Sequence, residues 1–160
     1  DMFDGSFLWS GMAGRAARME GIGERLSPAP RVPGIWMVLV NPMVAVPTAR
    51  VFAALECRAG PPGPPAPGGG FTAFAPFVEW LAAQRNDLEG AAVACCPAIG
   101  TVLEALAPAP LARMSGSGAT CFALWPDEAR ALADAERLSR SRPDWWVAAA
   151  PVPATTPAPA

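Results

Sequence analysis

The chain has 160 residues, 52% of them apolar, which suffices for one domain with a packed core. Its formal charge is −2, from 12 basic and 14 acidic residues without a basic block, and this argues against a nucleic-acid groove. There is no histidine and no tyrosine, and every basic residue is arginine, so a histidine base, a histidine metal ligand and a lysine phosphate clamp are excluded within these residues.

Asp1 to Met12 shows no period and no turn signal, and the chain does not open on Met. Residues 1–13 are expected to be the ragged edge of something longer. From Ala16 to Leu26 the pattern suggests strand pieces bent at Gly21 and Gly23, and Pro28, Pro30 and Pro33 then form a connector. Ile35 to Val40 is apolar throughout and bounded by Gly34 and Asn41-Pro42, which predicts a strand covered on at least one face. After it, Thr48 is placed to cap a helix whose core face is Val51, Phe52 and Leu55.

Residues 58–70 are almost entirely proline, glycine and alanine, and read as an exposed loop. Phe77, Trp80 and Leu81 predict a helix ending before Gln84. Leu88, Ala92, Cys95, Ile99, Val102 and Leu106 recur every three or four residues, and Pro97 splits them into two short helices. Asn86 as cap and Glu89 three residues on resemble a capping box.

Leu111 to Ser115 and Ala119 to Leu124 read as strands on either side of a turn. Pro126-Asp-Glu starts a helix with Leu132, Ala135 and Leu138 as its buried face and a Glu136–Arg140 pair outside. Asp144 to Val152 is a last strand that points one of Trp145 and Trp146 into the core, and the tail from Pro153 (153–160) is expected to be disordered. Strands, packed helices and returning strands predict an α+β domain, an antiparallel sheet with helices packed on one face.

Cys57, Cys95, Cys96 and Cys121 form no CxxC pair, so no metal site is expected, and their apolar surroundings suit reduced thiols in a cytosolic protein. No signal peptide is evident and no apolar run approaches the ~20 residues of a membrane helix, so the expected location is cytoplasmic.

The turn itself, Ser115-Gly-Ser-Gly118, is the leading candidate site. Glycines permit positive φ and close approach, so such a turn can aim backbone N–H groups at an anion, with Ser115 and Ser117 adding hydroxyl donors. A plain hairpin turn is the competing reading.

Four segments in order, Met19–Glu24, Leu39–Thr48, Asn86–Glu89 and Arg113–Ala119, resemble the C-terminal half of the 4-diphosphocytidyl-2-C-methyl-D-erythritol kinases, GHMP-superfamily enzymes of the non-mevalonate isoprenoid pathway. The resemblance runs from Gly14 to Val152 and implies a GHMP kinase C-terminal domain of ferredoxin-like arrangement over residues 14–152. It further implies a kinase that uses ATP and Mg2+ to phosphorylate a hydroxyl of cytidine-diphosphate methylerythritol. On it, Ser115, Gly116, Ser117 and Gly118 lie by the nucleotide phosphates, and Thr48, Asn86 and Asp87 become candidate substrate contacts.

The family's phosphate loop, lysine and catalytic aspartate belong to an N-terminal half that these residues do not match. Alignment through Glu20 puts Phe7 at the aspartate position, so the catalytic residue stays unassigned. The chain is therefore expected to be inactive alone, with the missing N-terminal half as partner. Two alternatives stay open: a non-catalytic α+β interaction module derived from such a kinase, and a GHMP kinase for another small alcohol such as homoserine or mevalonate.

Overall fold

The computed structural model describes residues 30–55 and 63–155, together with the backbone of three short strands earlier in the chain. It divides into two compact units: residues 1–34, 57–85 and 153–160 form one, and residues 35–56 and 86–152 the other.

In the first unit, β1 (Ser6–Leu8), β2 (Ala17–Glu20) and β3 (Arg25–Pro28) pair antiparallel in that order. The strand pieces expected near residues 16–26 are β2 and β3, while the bends at Gly21 and Gly23 lie outside the described residues. β1 falls in a stretch that was expected to carry no element. Three residues are too few to show a period, and their order comes from a distant partner, with Phe7 opposite Arg18.

Helix α2 (Phe74–Ala82) anchors the rest of this unit. Its Phe77 and Trp80 meet Phe71 at ring-centroid distances of 5.4 and 5.2 Å. The described part of the proline-glycine loop, 63–70, has no helix or strand, yet it is tied down. The Pro64 carbonyl accepts from Trp80 Nε1 at 2.8 Å and Gln84 Nε2 at 2.9 Å. At the far end of the chain, Thr155 Oγ1 accepts from Val32 N–H and its own N–H bonds the Val32 carbonyl. Residues 156–160 lie outside the described residues.

The second unit holds β4 (Ile35–Asn41), α1 (Thr48–Ala53), α3 (Leu88–Cys95), α4 (Ala98–Leu106), β5 (Leu111–Met114), β6 (Cys121–Trp125), α5 (Glu128–Ser141) and β7 (Trp146–Val152). The strands form one antiparallel sheet in the order β5-β6-β4-β7. Pairing of Val38 with Ala123 and of Val40 with Cys121 fixes which side chains share a face. That face also carries Met114, and it packs under α4 and α5. Val38, Val40, Cys121 and Ala123 are fully buried there, opposite helix residues Ile99, Val102, Leu106 and Leu138. Each such aliphatic side chain contributes roughly 1.5–3 kcal/mol on burial. The expected α+β architecture with helices on one face of an antiparallel sheet is what the chain forms.

Helix α5 corrects one expectation in detail. Its cap is Asp127, whose Oδ1 accepts from Arg130 N–H at 2.9 Å. The buried face is Ala131, Asp134 and Leu138, whereas Leu132 is 49% exposed. An acid lies in the core stripe because it has partners there. Trp125 Nε1 donates to Asp134 Oδ2 at 3.3 Å, and Arg137 Nε donates to Oδ1 at 2.9 Å. Arg137 also reaches the Ala105 carbonyl, tying α5 to the end of α4. Neither tryptophan of β7's start enters the core: Trp145 lies half-buried beneath the Arg142 guanidinium and Trp146 is 48% exposed.

No helix among the described residues is long and apolar enough to cross a membrane. Replacing Asp134 by Ala removes the acceptor of a part-buried indole N–H and the partner of Arg137, and should lower stability by about 1–3 kcal/mol in urea unfolding at neutral pH. An unchanged unfolding midpoint would show that this network contributes nothing net.

Candidate functional site

The hairpin between β5 and β6 gathers side chains from three distant parts of the second unit. Ser115 N–H bonds the Thr120 carbonyl at 2.9 Å, and Gly118 N–H bonds the Ser115 carbonyl at 3.0 Å, closing a tight turn. Gly116 and Gly118 have φ of 56° and 89°, values that a side chain disfavours. The Gly118–Ala119 peptide is cis.

The two glycines differ in what surrounds them. A Cβ on Gly118 would stand 2.8 Å from Ile99 Cδ1 and 3.1 Å from Met114 Sδ, so this residue lets the turn settle on α4. A Cβ on Gly116 would meet nothing within 4 Å. The space over Gly116 is open, Ser115 is exposed, and the N–H groups of Gly116 and Ser117 have no acceptor among the described residues. A turn with two unpaired amides and two hydroxyls at the surface can receive the oxygens of an anion.

Thr48 opens α1, whose cap position is Pro47, so it is not the cap the sequence suggested. Its hydroxyl instead stands 3.1 Å from that of Ser117. Asn86 does part of what was expected, one residue before the cap position Asp87, and more besides. Its Oδ1 accepts from Leu88 N–H at 3.2 Å, while its Nδ2 donates to the carbonyls of Met114 at 3.1 Å and Gly116 at 2.9 Å. Glu89 does not close a capping box, since its Oε2 accepts from Met114 N–H at 3.0 Å. Asp87 is exposed at the start of α3. The structure thus brings Thr48, Asn86, Ser115, Gly116, Ser117 and Gly118 together, while Asp87 follows Asn86 in the chain, at the start of α3.

Three contributors escaped the sequence reading: Glu89 as a ligand of the strand backbone, Asn41 and Thr120. Asn41 ends β4, and its Nδ2 donates to Thr120 Oγ1 at 2.9 Å while its Oδ1 accepts from Met43 N–H at 2.7 Å. This bond accompanies a left-handed Met43 (φ 58°) that is 69% exposed. The Asn-Pro pair at 41–42 signalled a strand end; nothing local signalled the partner 79 residues away.

Behind the turn, burial pushes the Cys121 thiol from an ordinary 9.0 up to about 12, with the Glu89 charge adding to the shift. Its S–H points to the Ala119 carbonyl at 3.7 Å. No group of three or more acidic, histidine or cysteine side chains among the described residues could hold a metal ion.

Gly118→Ala should cost about 2–4 kcal/mol, from backbone strain plus collision with Ile99, whereas Gly116→Ala should cost nearer 1 kcal/mol from conformation alone. Thermal unfolding of the two variants compares them directly, and equal losses would contradict the difference in packing. For Cys121, the folded chain holds the thiol proton more tightly than the unfolded chain. Its contribution to stability is therefore full below pH 9.0 and is lost as pH rises towards about 12. Iodoacetamide at about pH 8.5 should label the half-buried Cys95 and Cys96 well before Cys121.

Residues 69–144 match the family described as GHMP kinases C terminal. Over 140 residues the chain is 51% identical to the 4-diphosphocytidyl-2-C-methyl-D-erythritol kinase of Dinoroseobacter shibae, covering 86% of this chain and 48% of that protein. It is 49% identical over 146 residues to the enzyme of that name from a Caulobacter strain, covering 88% and 48%. A crystal structure of 4-(cytidine 5'-diphospho)-2C-methyl-D-erythritol kinase superimposes with a TM-score of 0.65 at 30% identity, over 85% of this chain and 50% of that one. The chain spans about half the length of the relatives it matches. Residues 69–144 carry the GHMP kinase C-terminal domain, and the chain as a whole is similar to about half the length of the 4-diphosphocytidyl-2-C-methyl-D-erythritol kinases.

Proposed function

We propose that this chain is the C-terminal half of an ATP-dependent 4-diphosphocytidyl-2-C-methyl-D-erythritol kinase of isoprenoid biosynthesis, and that the Ser115–Gly118 turn forms one wall of its nucleotide site. The observation that carries this reading is the turn's pair of unpaired amides, with the turn held by Thr48 of α1 and by Asn86 just before α3. Phosphoryl transfer depends on positioning and on stabilising charge spread over phosphate oxygens. Fixed N–H and O–H donors suit that task, because they need no reorganisation as charge develops.

Thr48 lies on the rim as a substrate-side contact, with its hydroxyl shared with Ser117. Asp87, exposed at the start of α3 and next to Asn86 in the chain, is a second such contact. Magnesium supplies charge neutralisation on the phosphates when bound. The described residues do not fit a metal site of their own, and no step is assigned to the ion among them. The 160 residues contain no lysine, and the Glu89 carboxylate is engaged by Met114 N–H. The N-terminal half of the kinase is therefore the required partner, and the place of work is the cytosol.

A chimera tests this directly: the part of the Dinoroseobacter shibae enzyme that this chain does not match, joined to residues 1–160. ATP- and magnesium-dependent phosphorylation of 4-diphosphocytidyl-2-C-methyl-D-erythritol is expected from the chimera and not from the purified chain. Turnover by the chain alone would refute its dependence on a second half. A folded chimera that phosphorylates homoserine or mevalonate instead would redirect the substrate. A folded chimera silent on all three would leave a non-catalytic interaction module.

A further inference from the structure

We propose that Asn86 is a positioning residue for phosphate binding: it aims the Ser117 amide outward by holding the opposite side of the same peptide unit, with Glu89 fixing the strand from which the turn departs. The proposal rests on the nucleotide-site reading of the turn and adds to it the device that orients its donors.

The geometry follows from one amide group. Asn86 Nδ2 carries two hydrogens, and the two acceptors it meets are the carbonyls of Met114 and Gly116, on either side of Ser115. The Gly116–Ser117 peptide is trans, so its C=O and N–H point in opposite directions. A grip on the Gly116 carbonyl therefore directs the Ser117 N–H away from Asn86, and that N–H is one of the two without an acceptor.

Met114 is treated in the same way on both of its polar groups. β5 is an edge strand, and its Met114 N–H is taken by Glu89 Oε2 and its carbonyl by Asn86 Nδ2. Asn86, just before α3, and Glu89 in its first turn stand where a neighbouring strand would otherwise supply one donor and one acceptor. Asn86 is in turn held by Leu88 N–H, which satisfies its Oδ1 and fixes which way the amide faces. Thr48 secures the Ser117 side chain from the other flank. The turn's glycines give it no stiffness of their own, so its shape is imposed from outside.

Asn86→Asp is the decisive variant. It keeps the size and the acceptor for Leu88 N–H, but replaces the clamping donor by an oxygen facing two carbonyls. In the 160-residue chain, exchange of the Gly118 and Ser115 amides should quicken about tenfold, while amides of α5 change less than about twofold. Glu89→Ala should loosen the same amides more than Glu89→Gln, which retains an acceptor for Met114. In the chimera, Asn86→Asp should raise KM for ATP about tenfold and change KM for the cytidyl substrate less than about twofold. A merely structural loss would lower the active fraction, and hence kcat, without moving KM for ATP.

Unchanged exchange at Gly118 overturns the proposal, and so does faster exchange with an unaltered KM for ATP. If the chimera with native Asn86 is itself inactive, the kinase reading falls, and the hold of Asn86 on the turn is decided by the exchange data alone.

Discussion

A turn made of serine and glycine has no intrinsic shape, because each glycine enters it with the largest conformational freedom of any residue. The rest of the candidate site depends on how that freedom is removed. Here the work falls to hydrogen bonds from side chains that are remote in sequence: Asn86 on two carbonyls, Glu89 on the preceding strand, Thr48 on the Ser117 hydroxyl and Asn41 on Thr120. Each bond contributes only about 0.5–1.5 kcal/mol net, yet together they select one backbone path for the turn. The sheet and α4 supply a fixed floor, since Gly118 brings the backbone close to Ile99.

This arrangement separates two uses of glycine within three residues. Gly118 serves packing, and the atoms that crowd it belong to the core. Gly116 serves conformation alone and faces open space. A residue that is glycine only for its φ, in the one part of the hairpin with unpaired N–H groups, is where a ligand's oxygens can approach the backbone without displacing protein atoms. On the proposed reading, the floor of the site is structural and its roof belongs to the nucleotide.

The sequence revealed elements better than partners. Apolar periodicity located β4, α2, the α3–α4 pair, and both strands of the hairpin, because burial of one face imposes a period on the residues themselves. It misplaced the inner face of α5, since Asp134 occupies a core position only by virtue of Trp125 and Arg137, and no local pattern shows those partners. It took Glu89 for half of a capping box, when the carboxylate serves a strand 25 residues on. β1 was invisible because three residues cannot display alternation. The same limit separates the site residues. Ser115 to Gly118 could be read from turn chemistry and Thr48 and Asn86 from resemblance, whereas the bonds that join them are tertiary.

In the cluster around the turn, Glu89 is the carboxylate with a defined role: it is engaged by Met114 N–H, and its charge helps the Cys121 thiol retain its proton. On the proposed reading, the turn's donors fix phosphate oxygens, and the group that handles the sugar hydroxyl belongs to the N-terminal half of the kinase. Phosphoryl transfer divides naturally along this line, because holding the phosphates and handling the nucleophile are separate tasks at opposite ends of an in-line reaction. On the proposed reading, a chain that matches about half the length of its relatives supplies one face of a cleft.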